Sequence, residues 1–210
     1  MIRRAINGDR VVRDFVTIGA SAGGVTALMR LLERLPGDFP GTVTIVLHRS
    51  PFHETQLPVV LGRYARIAVV EPADGITLRP GVVYVAPRDR HMVLDDGVIR
   101  LDRGAKQHRT RPAIDPLFRS AAAAYGRRVV GVLMSGMGGD GVSGLIEIKQ
   151  AGGVSLVQSP SEAQFPTMPS RALKEDDVDG AFPANEIAEA LVVMAAGGIV
   201  EPGAPSVVTP

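Results

Sequence analysis

The sequence predicts an α/β domain built on a mostly parallel sheet, with an added β-hairpin. Short runs of Val, Ile and Leu recur between segments of helical spacing, as strands buried on both faces do when helices alternate with them. Asp96-Gly97 separates two runs of alternating polarity, which is the pattern of a two-residue hairpin. Apolar runs also end just before Ser21, at His48, and shortly before Asp140. In an open parallel sheet the carboxyl ends of strands are where ligands bind.

Taken in order, the first strand is expected from residue 11 or 14 to 18. A helix follows, with Val25, Leu28, Leu32 and Leu35 on one face, ended by Pro36-Gly37. Residues 42–47 form a second buried strand. Gln56, Leu57, Val60 and Leu61 mark a helix, and residues 67–70 and 82–86 two further strands. The hairpin covers 91–101. A helix spans 115–125, the strongly apolar strand 129–134 comes next, and a helix runs over 142–151. Residues 154–157 are a strand, and 169–175 and 186–196 are helices. The expected organisation is a flexible lead-in over 1–13, one domain over 14–197 and a flexible tail over 198–210.

Composition narrows the function. The chain has 210 residues, 45% of them hydrophobic, which is enough for one well-packed domain. Its net charge of +1, with Lys and Arg spread along the chain, argues against a nucleic-acid face. The one denser basic run, Lys106 to Arg111, is read as a solvated loop at Lys106 and Arg109. No cysteine is present, which excludes disulfides and thiolate metal sites and suits the cytoplasm. No apolar run is long enough to span a bilayer, and Met1-Ile2-Arg3-Arg4 does not open a secretory signal. His53, His91 and His108 form no His-Glu-x-x-His helix or compact ligand set, so no metal is expected.

Gly19-x-Ser21-x-Gly23 has the form of a nucleophile elbow between strand and helix. A tight turn lifts the hydroxyl off the sheet, and the helix N-terminus behind it favours an oxyanion. A phosphate-binding turn fits these residues equally well. His48 ends a strand and suits a general base; on its own it is more readily a strand cap. Gly136-Met137-Gly138-Gly139-Asp140-Gly141 matches the dinucleotide pattern Gly-x-Gly-x-x-Gly between strand and helix. Asp140, however, would put a carboxylate where a pyrophosphate should sit, and the loop comes late in the chain. As the acid that orients His48, the same residue makes sense. The order Ser, His, Asp differs from the Ser, Asp, His order of α/β-hydrolases, so the elbow does not imply their fold.

Together these residues resemble the catalytic domain of the chemotaxis protein-glutamate methylesterases (CheB). That family carries Ile-Gly-x-Ser-x-Gly-Gly after a strand, here Ile18 to Gly24. It also has a strand ending in His, here His48, and a Gly-Met-Gly-x-Asp-Gly loop, here Gly136 to Gly141. Tyr84-Val85-Ala86-Pro87-x-Asp89-x-His91-Met92, Arg111-Pro112-x-x-Asp115-x-Leu117-Phe118 and Met168-Pro169 resemble further stretches of the family. The similarity runs over about residues 14–195.

The resemblance implies a three-layer, doubly wound (Rossmann-like) sheet with the hairpin beside it. It implies hydrolysis of γ-glutamyl methyl esters on the cytoplasmic helices of methyl-accepting chemoreceptors or a related signalling protein, releasing methanol, and in many members deamidation of receptor glutamines. The catalytic residues would be Ser21, His48 and Asp140, with no cofactor. The family's oxyanion-site Met would be Met137, Arg111 would lie near the cleft, and backbone N–H groups near Ala22 or Met137 are expected to serve the oxyanion. A nucleotide-binding module using the glycine loops is the alternative, and a silent scaffold of this fold would lack reason to keep Ser, His and Asp together. Ala22 stands where the family often has Thr or Ser, and Arg49 where many members have Met. The residues before Asp14 leave no room for the receiver domain that usually gates the family's site. The expectation is therefore an open cleft and constitutive activity, unless a separate regulatory protein docks there.

Overall fold

The computed structural model describes residues 2–3, 11–49 and 56–200. His53, most of the lead-in and residues 201–210 of the tail lie outside these. Eleven strands and six α-helices follow in the order β1 (Ile2–Arg3), β2 (Phe15–Ala20), α1 (Gly24–Arg34), β3 (Thr42–Leu47), α2 (Leu57–Gly62), β4 (Ala68–Val70), β5 (Val82–Val85), β6 (His91–Asp95), β7 (Val98–Asp102), α3 (Ile114–Tyr125), β8 (Val129–Leu133), α4 (Val142–Gln150), β9 (Val154–Gln158), α5 (Thr167–Glu175), β10 (Gly180–Phe182), α6 (Ala184–Ala195) and β11 (Ile199–Val200). A single 3₁₀ turn, Gly126–Arg128, joins α3 to β8.

Seven strands form one sheet in the order β10-β9-β8-β2-β3-β5-β4, and every pairing in it is parallel. The central strands are buried along their whole length, as helices on both faces require. Val16, Ile18, Ala20, Val43, Ile45, Leu47, Val130 and Val132 face one core with α1, α2 and α6. Phe15, Val46, Val129 and Leu133 face the other, with α3, α4, α5 and the hairpin β6–β7. This is the three-layer arrangement. At the hairpin tip Asp96 (φ 44°) and Gly97 (φ 78°) are both left-handed, as a two-residue type I′ turn demands.

The chain leaves β2 toward β3 on one side and returns to place β8 on the other. The crevice beyond the carboxyl ends of β2 and β8 is therefore the switch point of the sheet, where ligands bind in this architecture. Gly19 fixes how closely α3 approaches it. A Cβ there would stand 2.4 Å from Ile114 Cγ2. Gly19→Val is expected to cost about 1–3 kcal/mol through overpacking, read as a lower urea midpoint with an unchanged slope.

Several boundaries differ from expectation. Val25 is exposed, and the buried stripe of α1 is Ala27, Leu28, Leu31 and Leu32. The three-residue edge strand β10 is too short to show a period. Ile2–Arg3 pairs antiparallel with Ile199–Val200, a ribbon between the two ends of the chain that no local pattern announces.

Candidate active site

Each of the motif residues follows a strand of this sheet. Ser21 comes directly after β2. Its N–H donates to the Ser135 carbonyl (2.9 Å) and its carbonyl accepts from Gly24 N–H (2.9 Å). Gly23 caps α1 in the left-handed region (φ 72°), and a Cβ there would meet Ser135 Oγ at 2.7 Å. The turn is held from β8's side as well. Ser135 Oγ donates to the Ala22 carbonyl (2.8 Å), and Ser135 N–H donates to the buried Gln158 side chain (2.9 Å). The hydroxyl of Ser21 thus stands on a turn fixed by backbone contacts on both sides.

His48 follows β3, with its N–H donating to the Ala20 carbonyl (3.0 Å). Its Nδ1 lies 3.2 Å from Ser21 Oγ, and its Nε2 lies 2.7 Å from Asp140 Oδ2. These partners set the tautomer. Nε2 carries the proton and donates to the carboxylate, and Nδ1 is left to accept from the serine hydroxyl. Thr110 Oγ1 stands 3.4 Å from the same Nε2.

Asp140 is buried before the start of α4, yet it caps a different helix. Its Oδ2 accepts from Ile114 N–H (2.7 Å) and its Oδ1 from Asp115 N–H (3.1 Å), the first amides of α3. Asp115, equally buried, returns the contact. Its Oδ1 accepts from Gly141 N–H (3.1 Å) and Gly144 N–H (2.8 Å) at the start of α4. Helix N-termini carry free N–H groups and partial positive charge, so each carboxylate sits where it is stabilised. The second oxygen of Asp115 accepts from His108 Nε2 (3.0 Å).

Burial by itself would raise the Asp140 pKa. The hydrogen bond from His48, the Ile114 and Asp115 N–H groups and the His48 charge outweigh it, and the carboxyl titrates below the usual range. A depressed carboxyl contributes stability that is full above its unfolded value, roughly pH 4, and lost as pH falls through the folded value. The difference in melting temperature between the parent chain and Asp140→Asn is therefore expected to shrink as the pH is lowered from neutrality to about 3.

The same geometry bears on the glycine loop. The α4 amides that would cradle a phosphate are filled by Asp115, from 26 and 29 residues away. A nucleotide phosphate would have to displace a buried carboxylate, which argues against the dinucleotide alternative. His108, Asp115 and Asp140 are also the one group among the described residues compact enough to hold a metal ion. Every oxygen of the two carboxylates already accepts an N–H, so a cation there would compete with His108 and with the helix caps.

Ser21, His48, His108, Arg109, Thr110, Met137, Gly138, Gly139 and Asp140 line one open cleft of about 440 Å³. Among the described residues neither the Ala22 nor the Met137 N–H has an acceptor, and Met137 is 61% exposed. Arg111, expected near the cleft, does not line it. Its guanidinium donates to Asp89 (2.6 and 2.9 Å) and to the Arg103 and Gly104 carbonyls (2.9 and 2.7 Å), and so ties down the loop before α3. Arg109 is exposed, as expected, and also lines the cleft. Arg49 is buried beside His48 and donates to the Ala86 carbonyl and to Glu71 (3.1 Å). Asp115, His108 and Thr110 were not singled out from sequence as site residues. The Arg-Pro-x-x-Asp spacing was the only signal for Asp115.

Fold and site together define a doubly wound α/β protein with a hydrogen-bonded Ser–His–Asp array at its switch point. The chain belongs to the CheB methylesterase family, which it matches over residues 16–191. It is 42% identical over 178 residues to a protein-glutamate methylesterase/protein-glutamine glutaminase 2 of Anaeromyxobacter dehalogenans, covering 85% of this chain and 52% of that one. A Symbiobacterium thermophilum protein named protein-glutamate methylesterase/protein-glutamine glutaminase is 37% identical over 185 residues, covering 88% and 51%. The chain thus spans about half the length of the curated relatives it matches. The crystal structure of the Thermotoga maritima CheB methylesterase catalytic domain superposes with a TM-score of 0.79 at 31% identity, covering 85% of this chain and 97% of that one.

Proposed function

We propose that this chain is a serine esterase that hydrolyses γ-glutamyl methyl esters on the cytoplasmic helices of methyl-accepting chemoreceptors, or of a related signalling protein, in the cytoplasm. The observation that carries the reading is the array Ser21 Oγ–His48–Asp140, open to solvent along one cleft. The names of the relatives support the substrate and add glutamine deamidation as a second reaction of the same kind.

In the proposed reaction His48 Nδ1 takes the Ser21 proton as Oγ attacks the ester carbonyl. The oxyanion is met by the free N–H groups of Ala22 and Met137. The tetrahedral adduct collapses, His48 returns the proton to the leaving methoxide, and methanol departs. A water molecule then attacks the acyl-serine, giving its proton to Nδ1. Collapse of this second adduct re-protonates Ser21 from Nδ1 and frees the glutamic acid, which loses its proton to water to become the carboxylate. Asp140 keeps Nε2 protonated and stabilises the imidazolium formed at each step. Both halves are acyl transfers, so residues of this chain suffice.

The test is methanol release from methylated receptor cytoplasmic fragments, run beside ammonia release from unmodified fragments that carry glutamine. Stoichiometric methanol supports the reading. A chain that is folded and labelled at Ser21 by a fluorophosphonate, yet releases no methanol, would refute the substrate.

A further inference from the structure

The cleft holds a cation that the proposed reaction does not use. Arg109 is exposed, lines the cleft together with Ser21 and His48, and makes no hydrogen bond or ion pair among the described residues. Its neighbours are committed elsewhere. Arg111 is clamped to Asp89, and Arg171, which lies against Gly139, pairs with Glu175 (2.7 Å). Arg49 is buried on Glu71 and the Ala86 carbonyl. Among the described residues Arg109 is the one unpaired guanidinium lining the cleft.

The backbone that presents it is strained. Gln107 and Thr110 close a two-residue turn by exchanging N–H···O bonds of 3.2 and 2.8 Å. The residues between them, His108 (φ 49°) and Arg109 (φ 65°), are both left-handed, at a steric cost that glycine would not incur. His108 uses its side chain to hook the turn onto the buried Asp115. Arg109 has no such contact among the described residues. Backbone strain of this kind points to function where the side chain it presents faces a site.

We propose that Arg109 is a carboxylate subsite beside the nucleophile. It holds a second acidic group of the substrate, so that the site favours a glutamyl ester set among carboxylates over the same ester among neutral residues. This rests on the esterase reading for the reacting ester. A guanidinium offers paired N–H donors that match a carboxylate, and this one is free to give them. The other ionic groups lining the cleft do not compete for that role. Asp140 is an anion whose oxygens are all occupied, His48 faces Ser21 and Asp140, and His108 is bonded to Asp115. The turn also fixes the guanidinium's origin, so that less freedom is lost on binding.

The experiment compares two peptides, each with a central glutamyl methyl ester, one flanked by glutamates and one by glutamines. Binding to the Ser21→Ala chain is read by fluorescence anisotropy, which needs no turnover. The glutamate peptide is expected to bind about tenfold more tightly, a ratio that added salt reduces. Arg109→Gly relieves the strained backbone and removes only the side chain, and it should bring the ratio near one. Arg109→Glu should invert it, and Lys106→Ala, at an exposed lysine that does not line the cleft, should leave it unchanged. A ratio unaffected by Arg109→Gly, or lost equally in Lys106→Ala, would overturn the subsite. Methanol release by the parent chain from the same peptides reads the esterase separately. An intact ratio without methanol would sink that reading and leave the subsite standing.

Discussion

Ser21→Ala is expected to fold as the parent does and to lose hydrolysis by on the order of 10⁴-fold or more. Both halves of this expectation come from the elbow. The side chain of Ser21 makes one hydrogen bond, to His48, whereas its backbone makes the contacts that hold the turn. An alanine keeps the Cβ and both backbone bonds, so the stability change should stay within about 0.5 kcal/mol, as for other sites without a packing role. What disappears is the atom that attacks. The check is methanol release from methylated receptor fragments, alongside denaturant unfolding of the same preparation. A variant that keeps the parent's rate would rule out a covalent acyl-serine, and one that unfolds would show that the hydroxyl carries structure.

Asp140→Asn is expected to damage activity nearly as much and stability more. The Asp140 oxygens accept from three N–H donors: His48 Nε2, Ile114 and Asp115. Asparagine supplies one acceptor oxygen and one amide that can only donate. Whichever way it turns, a donor faces a donor. If the amide faces His48, the ring is driven to the tautomer with its proton on Nδ1, which cannot accept from Ser21. The loss in kcat should be on the order of 10⁴-fold, the scale known for the same change in a serine protease triad. If the amide takes the place of Oδ1 instead, it faces Asp115 N–H while Ile114 N–H keeps its acceptor, and α3 loses one of its two cap bonds, at about 1–3 kcal/mol. Rate and urea midpoint, measured together, separate the two orientations. Near-parent values of both would mean that Asp140 neither orients His48 nor caps α3.

What the sequence showed and what it hid divide along a physical line. Strands β2, β3 and β8 were legible because burial on both faces leaves unbroken apolar runs. Ser21, His48 and Asp140 were legible because each follows such a run. The hairpin was announced by Asp96-Gly97, where glycine reveals the left-handed turn. At His108-Arg109 the same kind of turn is built from residues that do not advertise it, so nothing local shows that the exposed Arg109 borders the cleft while Arg111 ties down the loop before α3. The trade of caps between Asp115 and Asp140 is a contact between two helix starts far apart in the chain, and no local window contains it. Val25 carries the right spacing for α1 but falls at its first turn, outside the stripe that packs. β10, with three residues, has too little length for a period, and the β1–β11 ribbon depends on where the fold brings the chain ends.

The exchange of caps ties the site's integrity to the cooperativity of the fold. In most helices the first turn can fray by itself, at a cost confined to that turn. Here the start of α3 cannot open without releasing the carboxylate that orients His48, and the start of α4 cannot open without uncovering the acceptor that Asp115 provides. The two helix beginnings and the base therefore rise and fall as one unit. Intermediate states in which the sheet and helices are formed but Ser21 faces a wandering imidazole are disfavoured, because the buried Ile114 and Asp115 amides would lose the acceptor that Asp140 gives them. The chain reaches a competent site only when α3 and α4 have docked on each other, and a perturbation that loosens either helix is registered at the nucleophile.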